Sequence, residues 1–182
     1  HAARFFAERG SILVAAADYS GAVHDSAGLD VVALTRHVEA GGLIADFEGG
    51  ERLQREAIIG VDCDILVPAA RPDVIRADNP ATVKANLLVP GANIGVTERA
   101  EAMLHRRGVL CIPDFIANAG GVICGAVEFS GGTEAQVFPM IDEKIRGNTA
   151  EVLERMKHER ILPRVAAVAM ARERLDEAMK YR

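Results

Sequence analysis

The stretch Val109-Leu110-Cys111-Ile112-Pro113-Asp114-Phe115-Ile116-Ala117-Asn118-Ala119-Gly120-Gly121-Val122 decides the fold. Val109 to Ile112 reads as a short strand, and from Ala119 onward the chain turns helical. The same strand-then-helix unit recurs upstream. Asn86 to Val89 reads as a strand, Glu98 to Arg107 as the helix after it, and Gly108 as that helix's stop. Asp64-Ile65-Leu66-Val67-Pro68 reads as another strand, with a short helix around Pro72 to Arg76. Nearer the start, Ser11 to Ala17 is an apolar run without alternation, the pattern of a strand covered on both faces. A helix is expected from about Asp30 to Ala40, with Val31, Leu34 and Val38 on one face and Gly41-Gly42 ending it. Ala2 to Arg9 is expected as a helix closed by Gly10, Leu43 to Ala45 as a brief strand, and Glu51 to Ile59 as a helix. Repeated units of this length predict an α/β fold, a doubly wound and mostly parallel sheet with helices on both faces.

The end of the chain, from about residue 130 to 182, reads as a helical segment of the same domain. Thr133-x-x-Gln136 is a capping box, and Pro163 sits where a last helix can begin. Asp142–Arg146 and Glu151–Arg155 have the spacing of intrahelical ion pairs. Ile161, Val165, Val168, Leu175 and Met179 form an apolar stripe expected to be packing surface.

Composition narrows the partners. The 182 residues are 49% hydrophobic and 26% charged, the balance of one soluble globular domain. The formal charge of −5 and the lack of any Lys/Arg block argue against nucleic acid and against an anionic membrane surface. The longest clean apolar run, Ile12 to Ala17, is far too short to span a bilayer. Three cysteines, widely spaced and never in a C-x-x-C pair, read as reduced core thiols of a cytoplasmic protein. The five histidines show no metal-ligand spacing, so no metal site is expected.

In an open parallel sheet, ligands bind beyond the carboxyl ends of the strands. The residues there share a character: Pro68-Ala69-Ala70, Pro90-Gly91-Ala92-Asn93, and Pro113-Asp114 leading to Asn118-Ala119-Gly120-Gly121. Small residues let an extended ligand lie against the backbone, and uncharged amides donate and accept hydrogen bonds. Asp18, closing the Ser11–Ala17 run, has two readings. It is an acid placed to hold the adenosine ribose of a dinucleotide, or an Asx-turn opening Asp18-Tyr19-Ser20-Gly21. The G-x-G-x-x-G fingerprint of such a fold is absent. The chain opens on His1-Ala2-Ala3-Arg4, already a helix in progress without a start methionine. The expectation is therefore a fragment whose first strand and glycine loop lie upstream.

Taken in order, Asp62-Cys63-Asp64-Ile65-Leu66 before Pro68-Ala69-Ala70, then Gly91-Ala92-Asn93, then Pro113-Asp114-Phe115-Ile116-Ala117-Asn118-Ala119-Gly120-Gly121-Val122, resemble the coenzyme-binding domain of the glutamate/leucine/phenylalanine/valine dehydrogenases. The resemblance implies a Rossmann-like domain over residues 1–182 of an NAD(P)-dependent oxidoreductase. Such an enzyme converts an L-amino acid to its 2-oxo acid and ammonia. It implies Asp18, Ala69, Ala70, Asn93 and Asn118 as cofactor contacts, with Val122 and Gly125 lining the side-chain end of the substrate pocket. It also implies a homo-oligomeric parent, and a substrate domain outside this chain that carries the catalytic lysine and aspartate. The isolated fragment is then expected to be inactive.

Two departures from the family pattern stand out. Gly125 occupies the place of a serine that binds glutamate's distal carboxylate, which points toward an apolar amino acid. Pro90 replaces the usual Glu before Gly-Ala-Asn, and Ile94-Gly95-Val96-Thr97 replaces Gly-Pro-Thr-Thr. The acid at Asp18 would repel a 2′-phosphate and leans the coenzyme toward NAD, with NADP possible. The other reading of the chain is a non-catalytic Rossmann-like module that binds a nucleotide to regulate a partner.

Overall fold

A computed structural model describes residues 1–180, and the chain divides into two compact units. The first comprises His1–Cys63 with Thr82–Lys84. Its helix α1 (Ala2–Ala7) ends at a turn through Gly10, whose φ of +85° is left-handed and suits glycine. Strands β1 (Ala15–Ala17), β2 (Ala22–His24) and β3 (Glu51–Leu53) form an antiparallel sheet in that order, with Ala17 opposite Ala22 and Ala22 opposite Leu53. Helix α2 (Val31–Glu39) lies between β2 and β3 in sequence. Asp30 caps it by accepting the Val32 and Ala33 N–H groups, each at 2.9 Å. Val23, Leu29, Leu34 and Ile44 make the core of this unit, with Leu13, Ala16 and Phe47 packed around them.

Three expectations fail in this unit. The Ser11–Ala17 run, read as a strand of a parallel sheet, contributes only Ala15–Ala17 and pairs antiparallel. The reason lies in the turn: Asp18 N–H donates to Gly21 O at 3.0 Å and folds the chain straight back into β2. Leu43–Ala45 is not a strand, since Ile44–Asp46 forms a 3-10 turn. Glu51–Ile59 is not a helix. Its first three residues are β3, and a 3-10 helix follows over Arg55–Gly60.

The second unit comprises Asp64–Ala81 and the chain from Ala85 onward. Strands β4 (Ile65–Leu66), β5 (Leu87–Leu88) and β6 (Leu110–Cys111) form a parallel sheet in that order, with Leu66 beside Leu88 and Leu88 beside Cys111. Helix α3 (Glu98–Arg106) connects β5 to β6. Thr97 Oγ1 caps it by accepting the Ala100 N–H at 3.3 Å. After β6 come α4 (Asp114–Ala117), α5 (Gly120–Phe129), α6 (Glu134–Glu159) and α7 (Pro163–Met179). Gln136 accepts the Thr133 N–H at 2.8 Å as part of the expected capping box. The expected helix at Pro72–Arg76 is absent. That segment is a turn whose Ile75 bridges to Val96.

Ile112, Ile116, Val152, Ala166, Ala167 and Met170 form the core here. Helix α7 therefore buries Pro163, Ala166, Ala167 and Met170, an i, i+3, i+4, i+7 face built partly of alanine. The stripe read from hydropathy is largely exposed, Val165 by 49% and Leu175 and Met179 by 60% each. The buried face instead sets Ala166 and Ala167 in one core with Val152 of α6. Asp142 and Arg146 pair at 2.8 Å as expected. Glu151 instead takes Arg174, and Arg155 takes Glu173 as well as Glu159 on its own helix, so two pairs tie α6 to α7. Among the described residues no helix is long and apolar enough to cross a membrane, and no His/Cys/Asp/Glu group could hold a metal.

Candidate functional site

Parallel pairing sends β4, β5 and β6 in one direction, so the loops after them open on one edge of the sheet. Ala69 and Ala70 are exposed beyond β4. The next loop packs directly against the first: Gly91 and Ala92 N–H both donate to Pro68 O at 3.0 Å. A Cβ on residue 91 would stand 3.0 Å from Ala69 Cβ, so the close approach of the two loops favours glycine. This leaves a smooth, side-chain-poor backbone wall.

At the end of that wall two of the expected residues meet. Asn118, the C-cap of α4, donates from Nδ2 to Asn93 Oδ1 at 2.7 Å. Asn118 Oδ1 and Asn93 Nδ2 remain available, one acceptor and one donor. Val122 and Gly125 follow on the first turns of α5, both exposed, and an added Cβ at Gly125 would meet nothing within 4 Å.

A buried ionic cluster supports the amide pair. Arg164, in the first turn of α7, donates from Nε and Nη2 to the two Glu101 oxygens at 2.6 and 2.7 Å, and from Nη2 to Asp114 Oδ1 at 2.6 Å. Glu101 and Asp114 side chains are only 7% and 9% exposed. The second Asp114 oxygen accepts the Ile94 N–H at 2.7 Å, and the Asp114 carbonyl accepts the Asn118 N–H at 2.8 Å. Burial pushes the Glu101 carboxyl above its ordinary range against the opposing pull of Arg164. Burial acts upward on Asp114 too, but the Ile94 N–H and the Arg164 guanidinium together hold it below that range. The two acids divide one guanidinium, and Asp114 alone gains a backbone donor. Cys111, behind this cluster on β6, is a buried thiol pushed up to about 12.

Sequence reasoning missed this cluster. Asp114 lay within a quoted motif, but nothing marked Arg164 as its partner fifty positions away.

Asp18 belongs to the other unit and is half-buried after β1. Its Oδ1 accepts the Ser20 N–H at 2.7 Å and a short bond from the Ser20 hydroxyl, while Oδ2 accepts the Ile44 N–H at 3.1 Å. Burial raises its pKa, and these bonds outweigh it and leave the carboxyl below the usual range. The Asx-turn reading is thus realised, with one lone pair on Oδ2 left for a further donor.

The second unit is thus a parallel α/β sheet whose strand ends present bare backbone and an amide pair, at the edge where ligands of open parallel sheets bind. The chain belongs to the Glutamate/Leucine/Phenylalanine/Valine dehydrogenase family, whose sequence profile matches residues 1–182. It is 35% identical to a glutamate dehydrogenase of Aeropyrum pernix, over all of this chain and 46% of that one. An NADP-specific glutamate dehydrogenase of Saccharolobus shibatae is 34% identical, over 99% of this chain and 44% of its own length. An NAD-specific one of Staphylococcus aureus is 33% identical, over 99% of this chain and 45% of its own. Among solved structures, the hetero-hexameric glutamate dehydrogenase of Thermus thermophilus, in its leucine-bound form, superposes with a TM-score of 0.82. It is 29% identical and matched over 96% of this chain and 42% of that one. The chain thus spans a little under half the length of the relatives it matches.

Proposed function

We propose that residues 1–182 form the Rossmann-like, NAD(P)-binding part of an amino-acid dehydrogenase that oxidatively deaminates an L-amino acid to a 2-oxo acid and ammonia. The observation that carries this reading is the Asn93–Asn118 contact beyond a parallel sheet, in a chain whose relatives include NAD- and NADP-specific enzymes. A bound nicotinamide would accept a hydride from the substrate Cα. Asn118 and Asn93 orient its amide and ribose by hydrogen bonds, and Ala69 and Ala70 keep the path along the backbone free of side chains. In the first unit, Asp18 keeps one Oδ2 lone pair for a ribose hydroxyl of a nucleotide. Its negative charge disfavours a 2′-phosphate, so NAD is the preferred coenzyme.

Val122 and the vacant space at Gly125 favour an apolar amino acid over glutamate, because glycine offers no hydroxyl for a distal carboxylate. The acids near the amide pair, Asp114 and Glu101, are both committed to Arg164. Neither is free to move a substrate proton, so the isolated 182-residue chain is expected not to reduce NAD with leucine or glutamate. A homo-oligomeric parent in the reducing cytoplasm completes the reading. The Cys111 and Cys124 thiols suit that compartment.

The test is an NADH fluorescence titration of the protein carrying these residues in full. Asn118→Ala should weaken binding about 3- to 30-fold, the effect of one or two lost hydrogen bonds. Unchanged affinity would remove the reading's support.

A further inference from the structure

Ile94 is a β-branched residue at φ +54°, a left-handed conformation that its side chain disfavours, and it is 55% exposed. No burial holds it there. Two hydrogen bonds do: its N–H donates to Asp114 Oδ2 at 2.7 Å, and its carbonyl accepts the Asp73 N–H at 2.8 Å. The strained residue directly follows Asn93. The same Asp114 that fixes Ile94 also anchors the Asn118 backbone through its carbonyl, at 2.8 Å. The Asp114 side chain thus holds the Asn93 half of the amide pair, and the main chain of α4 holds the Asn118 half. Asp114 is in turn fixed by Arg164, whose guanidinium also lies 5.5 Å from the centre of the Phe115 ring. Strain of this kind persists only where the surroundings over-determine it, and it gathers at binding sites.

We propose that Asp114 and Arg164 are positioning residues for coenzyme binding, holding Ile94 left-handed so that Asn93 and Asn118 meet in register. This rests on the coenzyme reading above. Neither residue touches the ligand. Arg164 orients the Asp114 carboxylate, that carboxylate orients the backbone at Ile94 next to Asn93, and the two amides do the binding.

The test uses the full protein and NADH as the probe, with dissociation constant and melting temperature read together. Asp114→Asn is close to isosteric but can satisfy only one of its two partners, since its amide nitrogen must face either Arg164 or the Ile94 N–H. It should weaken NADH about tenfold, the equivalent of losing the compensation for a left-handed β-branched residue. Glycine adopts that conformation freely, so Ile94→Gly added to Asp114→Asn should return affinity to within about threefold of the parent. Met170→Ala, a truncation in the same unit's core, should lower the melting temperature while leaving NADH affinity unchanged.

Affinity unchanged in Asp114→Asn, or not restored by Ile94→Gly, overturns the inference while leaving the coenzyme site standing. A parent protein that fails to bind NADH, or that is indifferent to Asn118→Ala, overturns the coenzyme reading and the inference with it.

Discussion

Replacing Arg164 by methionine keeps most of its aliphatic volume but removes three charge-assisted contacts of 2.6 to 2.7 Å. Glu101 and Asp114 are then left facing one vacated space, at 7% and 9% side-chain exposure. Removing one partner from a buried ionic group costs about 3–5 kcal/mol, since the remaining charge stays desolvated. Two stranded carboxylates place the expectation in the upper half of that range at neutral pH. For a chain of this size that lowers the melting temperature by roughly 8–20 °C. The chain contains no tryptophan, so the helical circular-dichroism signal is the practical probe.

The deficit should depend on pH with a definite sign. Burial raises Glu101 in the folded state, so the stability tied to its protonated form is complete below its unfolded pKa and lost as pH rises through the folded one. Asp114 is lowered and behaves oppositely, its contribution present above the ordinary aspartate range and lost as pH falls. Without Arg164 both acids move upward, and protonation relieves their repulsion. The variant should therefore recover part of its deficit near pH 5, and Glu101→Gln in the same background should recover part of it at pH 7. A variant within about 1 kcal/mol of the parent at pH 7, or a deficit that ignores pH, would refute the reasoning.

Gly147 lies inside α6, exposed and with open space where a Cβ would go, so Gly147→Ala should stabilise by about 0.5–1 kcal/mol in urea unfolding. Native-state labelling with a thiol reagent at pH 8 should modify Cys111 at least about tenfold more slowly than Cys124, because its thiol is buried and pushed up to about 12. Across an amino-acid panel with the full protein, apolar substrates should outperform glutamate. Gly125→Ser, which the open space admits, should raise kcat/KM for glutamate about tenfold while adding little for leucine.

What could be read from the residues was what local chemistry writes. The helices starting near Asp30 and at Glu98, the stop at Gly108, and the parallel strands at the apolar runs of Ile65, Leu87 and Leu110 are all legible. The strand-end asparagines were legible because a parallel sheet has only one edge at which its strands finish. The β2–β3 pairing was not legible. Its strands are three residues each and join positions about thirty apart, with α2 and a 3-10 turn between them. The support beneath the amide pair was hidden for the same reason, since Arg164 finds Glu101 and Asp114 only once α7 has packed. Alanine faces also carry little hydropathy, so the larger Val165 and Leu175 dominate the pattern while the core uses Ala166 and Ala167.

The most direct test of the coenzyme site is a crystal structure of the full protein with NAD bound. The expected result places the nicotinamide amide or its ribose within hydrogen-bonding distance of Asn118 or Asn93, with the coenzyme backbone running past Ala69 and Ala70. Coenzyme bound away from these residues, in a protein that turns over with it, would contradict that assignment.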